Sequence, residues 1–287
     1  MFKRVLVGVD QETRGRDAIA LAGRLTSEDG ALLLAHVHPG FPLSVKRPVA
    51  TVDTVEDDDS QLFLRTVIAD TGLHAEIRSI SGGSVGPSLH RVAERENADL
   101  LVVGSSRRGL LGRVLLGDRT LEALNGASCA VAVAPAGYAD QGRPIGAIGV
   151  AFDGTDESLD ALAVARGLAD LWHARLSVCT VVSPQAYGAV VATRESVDYA
   201  RRRLAEFGDE VDAWASVGDP AEELAVYSGS VDLLVVGSRS YGPLGRLVHG
   251  RTERRLLRVA RSPLLVVPRG TRVVLDSTHK AAELTYV

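Results

Sequence analysis

The sequence predicts an α/β protein made of two tandem, doubly wound domains, each with a five-stranded parallel sheet. Three observations lead to this fold class. The second half of the chain repeats the first, and within each half apolar runs alternate with amphipathic segments. The apolar runs are also continuous, without the alternating polar residues of a sheet that faces water on one side. Such strands are buried on both faces, as in a parallel sheet covered by helices.

The repeat aligns glycines and an aspartate between the two halves. The segment "ADLLVVGSSRRGLLGRVLLGDRT" at 98 returns as "VDLLVVGSRSYGPLGRLVHGRTE" at 231, a shift of 133 residues (231 − 98). Three glycine pairs align at this shift: Gly104 with Gly237, Gly112 with Gly245, and Gly117 with Gly250. The first strand, which leads to Asp10, returns before Asp153, a shift of 143 residues (153 − 10). The second half is therefore about ten residues shorter between its first and fourth strands.

The elements of the first half can be assigned in order. Strands are predicted at "VLVGV", "LLLAHV", "EIRSI", "LLVVG" and "AVAVA", and helices at segments such as "GRDAIALAGRLTS" and "GPSLHRVAEREN". Residues 1–136 form the first predicted domain and 148–270 the second. The Gly- and Pro-bearing segment 137–147 is the predicted linker, and 271–287 is a C-terminal extension. The extra residues of the first half fall at 40–61, whose acidic run predicts a solvated loop or a helix start. A lid over the first domain is the alternative.

Composition limits the class of protein. The chain has 287 residues, 46% of them apolar and 24% charged, as is typical of a globular protein. Its net charge of −4 gives no reason to expect binding to nucleic acid or to an anionic membrane. The N-terminus does not resemble a signal peptide, and no apolar run is long enough for a membrane helix. Cys129 and Cys179 are predicted to be buried thiols. We therefore expect a soluble, cytoplasmic protein.

A candidate ligand site follows from the predicted sheet. In open α/β sheets, ligands bind at the carboxyl ends of the strands, where the strand order reverses. Asp10 and Asp153 follow the first strand of each half, and Gly104 and Gly237 end the fourth. A carboxylate can accept hydrogen bonds from ribose hydroxyls or an adenine edge, and a glycine-rich loop before a helix suits phosphates. The alternative is that each aspartate simply caps the following helix.

These patterns resemble the universal stress protein family over nearly the whole chain. The resemblance rests on the tandem "VLVGVD", "ADLLVVGS" and "PLLVVP" elements and on "DGTDESLDALAVARGLA" at 153. It implies adenine-nucleotide α-hydrolase-like domains that pack about a pseudo-two-fold axis through their last strands, which would otherwise be exposed sheet edges. Some members bind ATP through a loop of pattern G-x-x-G-x9-G-[ST], and others lack that loop and do not bind ATP.

Both halves depart from the ATP-binding pattern. In the first half, Arg107 stands at the second glycine and Asp118 at the final Ser/Thr position. Arginine prevents a close approach of the backbone to phosphate, and aspartate places negative charge where a phosphate oxygen would lie. In the second half the corresponding residues are Ser240 and Arg251. Serine is the milder change and arginine can contact phosphate directly, so the second half is the better candidate.

With this resemblance, the sequence predicts a cytosolic stress-response protein that binds ATP as a sensor or regulator, with Mg²⁺ as a candidate companion. The predicted binding residues of the second half are Asp153, Gly237, Arg239, Ser240, Gly250, Arg251 and Thr252. Their counterparts in the first half are Asp10, Gly104, Gly117 and Thr120. The alternative is a scaffold that binds proteins and no nucleotide. A homodimer is a further expectation that the sequence leaves open.

Catalysis and metal binding find no support in the sequence. No residues pair a nucleophile with a base, so we predict that the chain is not an enzyme, with slow ATP hydrolysis as a minor alternative. His36 and His38 have no His, Cys or carboxylate at ligand spacing, so we predict no metal site. The segment "SGGSVGPS" at 81 is interpreted as a turn and helix cap, with Gly86-Pro87 matching Asp219-Pro220.

Overall fold

The computed structural model describes residues 1–38, 52–105, 123–124, 126–183, 202, 211–238, 255–256 and 258–268. The strands of the first half are β1 (Phe2–Gly8), β2 (Thr26–His38), β3 (Glu76–Ser81), β4 (Leu100–Gly104) and β5 (Ala130–Ala134). Its helices are α1 (Arg16–Leu25), α2 (Val52–Thr71) and α3 (Val85–Arg95). The strands of the second half are β6 (Ala147–Ala151), β7 (Arg175–Val182), β8 (Val211–Val217), β9 (Leu233–Ser238) and β10 (Leu264–Pro268). Its described helices are α4 (Asp156–Trp172) and α5 (Pro220–Ser228).

All ten strands form one sheet, in the order β3-β2-β1-β4-β5-β10-β9-β6-β7-β8. Each half contributes five parallel strands in the same internal order, as the sequence predicts. The halves meet where β5 and β10 pair antiparallel, with Leu265 opposite Ala132. Because β5 and β10 are equivalent strands, their antiparallel pairing relates the two halves by a local pseudo-two-fold axis. The predicted junction through the last strands is therefore confirmed.

Helices cover the sheet on both faces. Along β1, Val5 and Val7 belong to one core cluster and Leu6 to the other. Helices α1, α2 and α4 supply the first cluster, and α3 and α5 supply the second. Within α1 the buried side chains recur at the spacing of one helical face, at Ala18, Leu21, Ala22 and Leu25. The continuous apolar strands are thus buried on both sides, as predicted.

The segment between the halves is packed on α1. Tyr138 begins a short 3₁₀ helix and is buried, with the guanidinium of Arg24 lying 5.0 Å from the centre of its ring. The carboxylate of Asp17, in the first turn of α1, accepts hydrogen bonds from the amides of Gly137 and Ala139, both at 2.9 Å. Strand β6 begins at Ala147, the last residue of the predicted linker. Most of this connection is therefore ordered structure held by the first half.

The longer first half places its extra residues partly in a helix. Residues 52–61 form the first half of α2, which connects β2 to β3 and packs on both strands. The acidic run from Glu56 to Asp59 lies in this helix, in agreement with the predicted helix start. Residues 52–61 belong to the crossover helix, and a role of the segment as a lid over the first crevice stays a prediction. Residues 40–51 and the C-terminal extension 271–287 lie outside the described residues.

Both segments begin a helix, as interpreted, but Gly86-Pro87 does not match Asp219-Pro220 in position, because α3 already begins at Val85 with Ser84 at its N-cap. The side chain of Asp219 caps α5 by accepting from the amides of Ala221 and Glu222, and Pro220 opens the helix. Pro87 lies in the first turn of α3. No helix in the described part of the chain combines the length and the apolar character needed to cross a lipid bilayer.

Candidate functional site

The strand order creates one crevice in each half at the carboxyl edge of the sheet. From β1 the chain proceeds to β2 and β3 on one side and returns to β4 on the other, so the order reverses between β1 and β4. Val7 pairs with Val102, which places Gly104 beside Val9 and next to Asp10. In the second half Ala151 pairs with Val236, which places Gly237 beside Phe152 and next to Asp153. The structure thus brings the predicted aspartate and glycine together in both halves.

In the first crevice, Asp10 closes a local turn. Its two carboxylate oxygens accept from the amide of Thr13 at 2.7 Å and from the Thr13 hydroxyl at 2.6 Å. Helix α1 begins only at Arg16, after Arg14 and Gly15 adopt left-handed backbone conformations with φ of 54° and 62°. The residue that caps α1 is Gly15, so Asp10 does not act as the helix cap that the alternative interpretation proposed.

In the second crevice, the helix begins closer to the strand. Helix α4 starts at Asp156, three residues after Asp153, with Thr155 at its N-cap. One carboxylate oxygen of Asp153 accepts from the Thr155 hydroxyl at 2.6 Å and from the Thr155 amide at 3.1 Å. The Asp153 side chain is exposed, whereas Asp10 is half-buried. Asp153 therefore orients the residue that caps α4 and keeps its carboxylate at the surface of the crevice.

The two matched glycines have different surroundings. A Cβ at Gly237 would lie 2.1 Å from the carbonyl oxygen of Glu157 and 2.4 Å from its carbonyl carbon. Gly237 therefore lets the first turn of α4 pack directly on β9, which brings the helix N-terminus to the end of that strand. Among the residues that the structure describes, no atom lies within 4 Å of a Cβ built on Gly104. In this half the helix begins only at Arg16, six residues after Asp10, so its first turn does not pack on β4 as α4 packs on β9.

Charge at the second crevice favours some ligand groups over others. The first turn of α4 carries Asp156 and Glu157, of which Glu157 is buried. Carboxylates there neutralise the positive end of the helix dipole and disfavour a phosphate at the helix N-terminus. Asp153 and these residues are instead suited to accept hydrogen bonds from hydroxyl or amino groups. A phosphate would have to be held by the loop that follows β9.

That loop and the equivalent loop after β4 lie outside the described residues. The predicted site residues concerned are Arg239, Ser240, Gly250, Arg251, Thr252, Gly117 and Thr120. The described members of the predicted site are Asp10, Gly104, Asp153 and Gly237. Their backbone positions define both crevices, while the phosphate-binding role of the two loops stays a prediction.

Sequence reasoning considered His36 and His38 only as metal ligands and missed their position at the wall of the first crevice. His36 is buried on β2, and its Nδ1–H donates to the carbonyl oxygen of Val9 at 2.8 Å, directly before Asp10. His38, at the end of β2, faces Glu56 and Asp57 of α2. These carboxylates lie eighteen and nineteen residues further along the chain, so a search for short ligand spacings did not find them. Among the residues that the structure describes, no group of three or more His, Cys, Asp or Glu is placed to hold a metal ion.

The two cysteines lie in the core. Cys129 precedes β5 and Cys179 lies in β7, and both are unbonded and buried. Burial raises the pKa of each thiol to about 12, so the reactive thiolate is scarce at neutral pH. The prediction of buried thiols is confirmed.

Comparisons with known proteins agree with this architecture. The model of the universal stress protein family matches residues 1–135 and again residues 145–268. A universal stress protein of Mycobacterium tuberculosis strain H37Rv is 30% identical over 189 residues, which is 59% of this chain and 61% of that relative. The chain thus spans about three-fifths of the length of this curated relative.

Solved structures share the fold at low sequence identity. The crystal structure of a universal stress protein from Archaeoglobus fulgidus superposes with a TM-score of 0.68 at 16% identity, over 93% of this chain and 98% of the other. A protein from Pseudomonas aeruginosa, described as a putative universal stress protein, superposes with a TM-score of 0.59 at 18% identity, over 93% of both chains.

Proposed function

The chain belongs to the universal stress protein family, and from this premise we propose that it is a stress-response protein that binds ATP in its second half. It would act as a sensor or regulator through the bound nucleotide, without turnover. Support for this proposal comes from the two glycines that the second loop shares with the ATP-binding pattern, Gly237 and Gly250, and from the geometry of the second crevice.

One observation carries the assignment to the second half. The exposed carboxylate of Asp153 lies beside Gly237 at the strand-order reversal, with the N-terminus of α4 packed onto the same point. In the proposed mode, Asp153 accepts hydrogen bonds from the ribose hydroxyls. Arg239 and Arg251 follow β9 in sequence and would contact the phosphates, with Ser240, Gly250 and Thr252 completing the loop. Mg²⁺ would accompany the phosphates.

The first half is a second candidate, favoured by its open space. Among the described residues, no atom lies within 4 Å of a Cβ built on Gly104, which leaves room on that side for a ligand group to approach the backbone. Asp10 is less suited than Asp153, because its side chain is half-buried and accepts two hydrogen bonds from Thr13, whereas Asp153 is exposed. Asp118 in the loop adds negative charge near the proposed phosphate position, with Gly117 and Thr120 as neighbouring loop residues.

Isothermal titration of the nucleotide-stripped protein with Mg-ATP tests the proposal, with stoichiometry read before affinity. We expect one site per chain. Asp153→Asn should weaken binding by about tenfold, because one hydrogen bond to a charged group is lost. Asp10→Asn is the matched control and should bind as the parent protein does. Arg251→Asp should abolish binding, and titration with GTP tests whether adenine is recognised.

Other results would change the assignment in definite ways. Loss of binding in Asp10→Asn with no effect of Asp153→Asn would move the site to the first half. Two sites per chain would show that both loops bind. Absence of binding at millimolar ATP in a folded protein would reject the nucleotide proposal and leave the scaffold function, in which the chain acts through protein contacts.

Location and assembly are further parts of the proposal. We propose that the protein acts in the cytoplasm. The last strands of both halves are already paired with each other in the sheet, so a homodimer would have to use other surfaces. Light scattering distinguishes the two states, since a mass of 30.4 kDa corresponds to one chain and would reject the dimer. Slow ATP hydrolysis would be revealed by phosphate release that disappears in Asp153→Asn.

A further inference from the structure

A cluster of polar side chains is buried between the end of β2 and the start of α2. His38 is 7% exposed, and Ser60, one turn along α2 from Glu56, is 2% exposed. Among the described residues, neither ring nitrogen of His38 has a hydrogen-bond partner, and the same is true of Glu56 Oε2 and the Ser60 hydroxyl. Buried polar atoms without partners are rare, because each one costs free energy relative to its hydrated state. The cluster is therefore incomplete in the state that the structure records.

The geometry around His38 is that of an ion pair that has not closed. Its Nδ1 lies 3.7 Å from Glu56 Oε2, and its Nε2 lies 3.9 Å from Asp57 Oδ1. Both distances exceed those of a hydrogen bond. The carboxylates face opposite edges of the ring, and a neutral imidazole carries a proton on only one of them. Only the protonated ring can donate to both carboxylates at once.

The other charged groups near this ring can be named. Among the described residues, the carboxylates within 4.0 Å of the ring nitrogens are those of Glu56 and Asp57, and β1, β3 and α1 contribute none. The neighbour of His38 on β3 is Ser81. Asp58 and Asp59 of α2 are exposed, and His36 on the same face of β2 is engaged with the Val9 carbonyl and the Phe63 ring. Glu56 and Asp57 are thus the carboxylates positioned to respond to the charge of His38.

We propose that His38 is a proton-responsive contact that fastens the start of α2 to the end of β2. When the ring is protonated, its two N–H groups donate to Glu56 and Asp57, and the first turns of α2 become more tightly held. When it is neutral, the contact opens as the structure shows. Protonation of the ring, which acidification favours, would therefore tighten this element. Because His36 on the same strand binds the Val9 carbonyl, the effect is located at the wall of the first crevice.

Amide hydrogen exchange along α2 tests this inference. After correction for intrinsic exchange, protection of residues 56–63 should rise about fivefold as pH falls from about 8 to about 5.5. His38→Gln and the double variant Glu56→Gln/Asp57→Asn should lose this dependence. His74→Gln is the matched control, since His74 is exposed, and it should behave as the parent protein does. An identical pH profile in the parent and in His38→Gln would overturn the proposal.

A second measurement does not depend on variants that fold. Nitrogen-15 spectra of the parent protein report how many protons the His38 ring carries. At about pH 5.5 we expect two protonated nitrogens, both with the shifts of hydrogen-bonded N–H groups. A ring with a single proton at that pH would reject the proposal, whatever the behaviour of the variants.

Discussion

Gly104 and Gly237, at the carboxyl ends of β4 and β9, align in sequence but differ in the space around their Cα atoms. We expect Gly237→Ala to lower the free energy of unfolding by about 2–4 kcal/mol, because the added Cβ would press on the backbone of Glu157 and displace the first turn of α4. Gly104→Ala is the matched control, since a Cβ there meets no atom of the described residues within 4 Å. It should change stability by less than about 0.5 kcal/mol. Urea denaturation of both variants measures the difference.

Equal effects at the two positions would contradict the packing of α4 on β9. A reduced nucleotide affinity in Gly237→Ala would be uninformative about direct contact, since the helix beside Asp153 would also have moved. Stability is therefore the readout that addresses this residue.

Glu96 links two strands of the first half through arginines. Arg78 donates to it at 2.7 and 3.1 Å, and Arg4 donates at 2.7 Å. These hydrogen bonds, first from Arg78 and then from Arg4, lower the pKa of Glu96 from 4.5 to about 2. Its side chain is only 13% exposed, so the network is partly protected from solvent. We expect Glu96→Gln to lower the free energy of unfolding by about 1–2 kcal/mol near neutral pH.

The pH dependence of this effect has a definite sign. A carboxyl whose pKa is lower in the folded state stabilises the fold above its unfolded pKa and loses this contribution as the pH falls through its folded pKa. The stabilities of the parent and of Glu96→Gln should therefore differ at pH values above 4.5 and converge as the pH falls toward about 2. Thermal unfolding across this range tests the expectation, with exposed Glu94→Gln as the control. A gap that stays constant with pH would contradict the role of the charge.

At the scale of elements, α1 has two tasks. It covers one face of the sheet in the first half, and its first turn holds the connection to the second half. Asp17→Ala removes both acceptors of the Gly137 and Ala139 amides, so we expect a loss of about 1–3 kcal/mol of stability. Hydrogen exchange of 137–143 should become faster in this variant. Asp58→Ala, an exposed site on α2, is the control and should leave this segment unchanged.

Unchanged exchange at 137–143 in Asp17→Ala would mean that the connection is held by its other contacts. Those include the packing of Arg24 on Tyr138, its hydrogen bonds to the Tyr138 hydroxyl and the Arg143 carbonyl, and the ion pair of Arg16 with Asp140. A second variant, Arg24→Ala, separates the two contributions.

At the scale of the whole molecule, the fold was accessible from sequence because its signals are repeated and local. Continuous apolar strands and the matching glycines predict the five parallel strands of each half. The apolar last strands predict the junction between the halves. The difference between Gly104 and Gly237 was not accessible, because it depends on whether the following helix begins three or six residues after the aspartate. The contact of His38 with Glu56 and Asp57 was missed for another reason. It joins a strand to a helix, and the partners lie eighteen and nineteen residues apart in the sequence with no motif between them.

The continuous sheet also has a thermodynamic consequence. The pairing of β5 with β10 buries both last strands completely, so either half alone would expose an apolar edge to water. We therefore expect the two halves to unfold together in a single transition. Both tryptophans, Trp172 and Trp214, lie in the second half, so their fluorescence reports on that half alone. Far-ultraviolet circular dichroism reports on both halves, and the two transitions should coincide.

A variant in the first half makes this test stringent. Glu96 is remote in sequence from both tryptophans and belongs to the β1–β3 side of the sheet, far along the strand order from β10. If the halves unfold as one unit, Glu96→Gln should shift the tryptophan transition to lower urea by the same amount as the circular dichroism transition. If each half unfolds independently, the tryptophan transition should stay where it is in the parent while circular dichroism shows an earlier phase. That second result would mean that the β5–β10 junction joins the two halves of the sheet without coupling their stabilities.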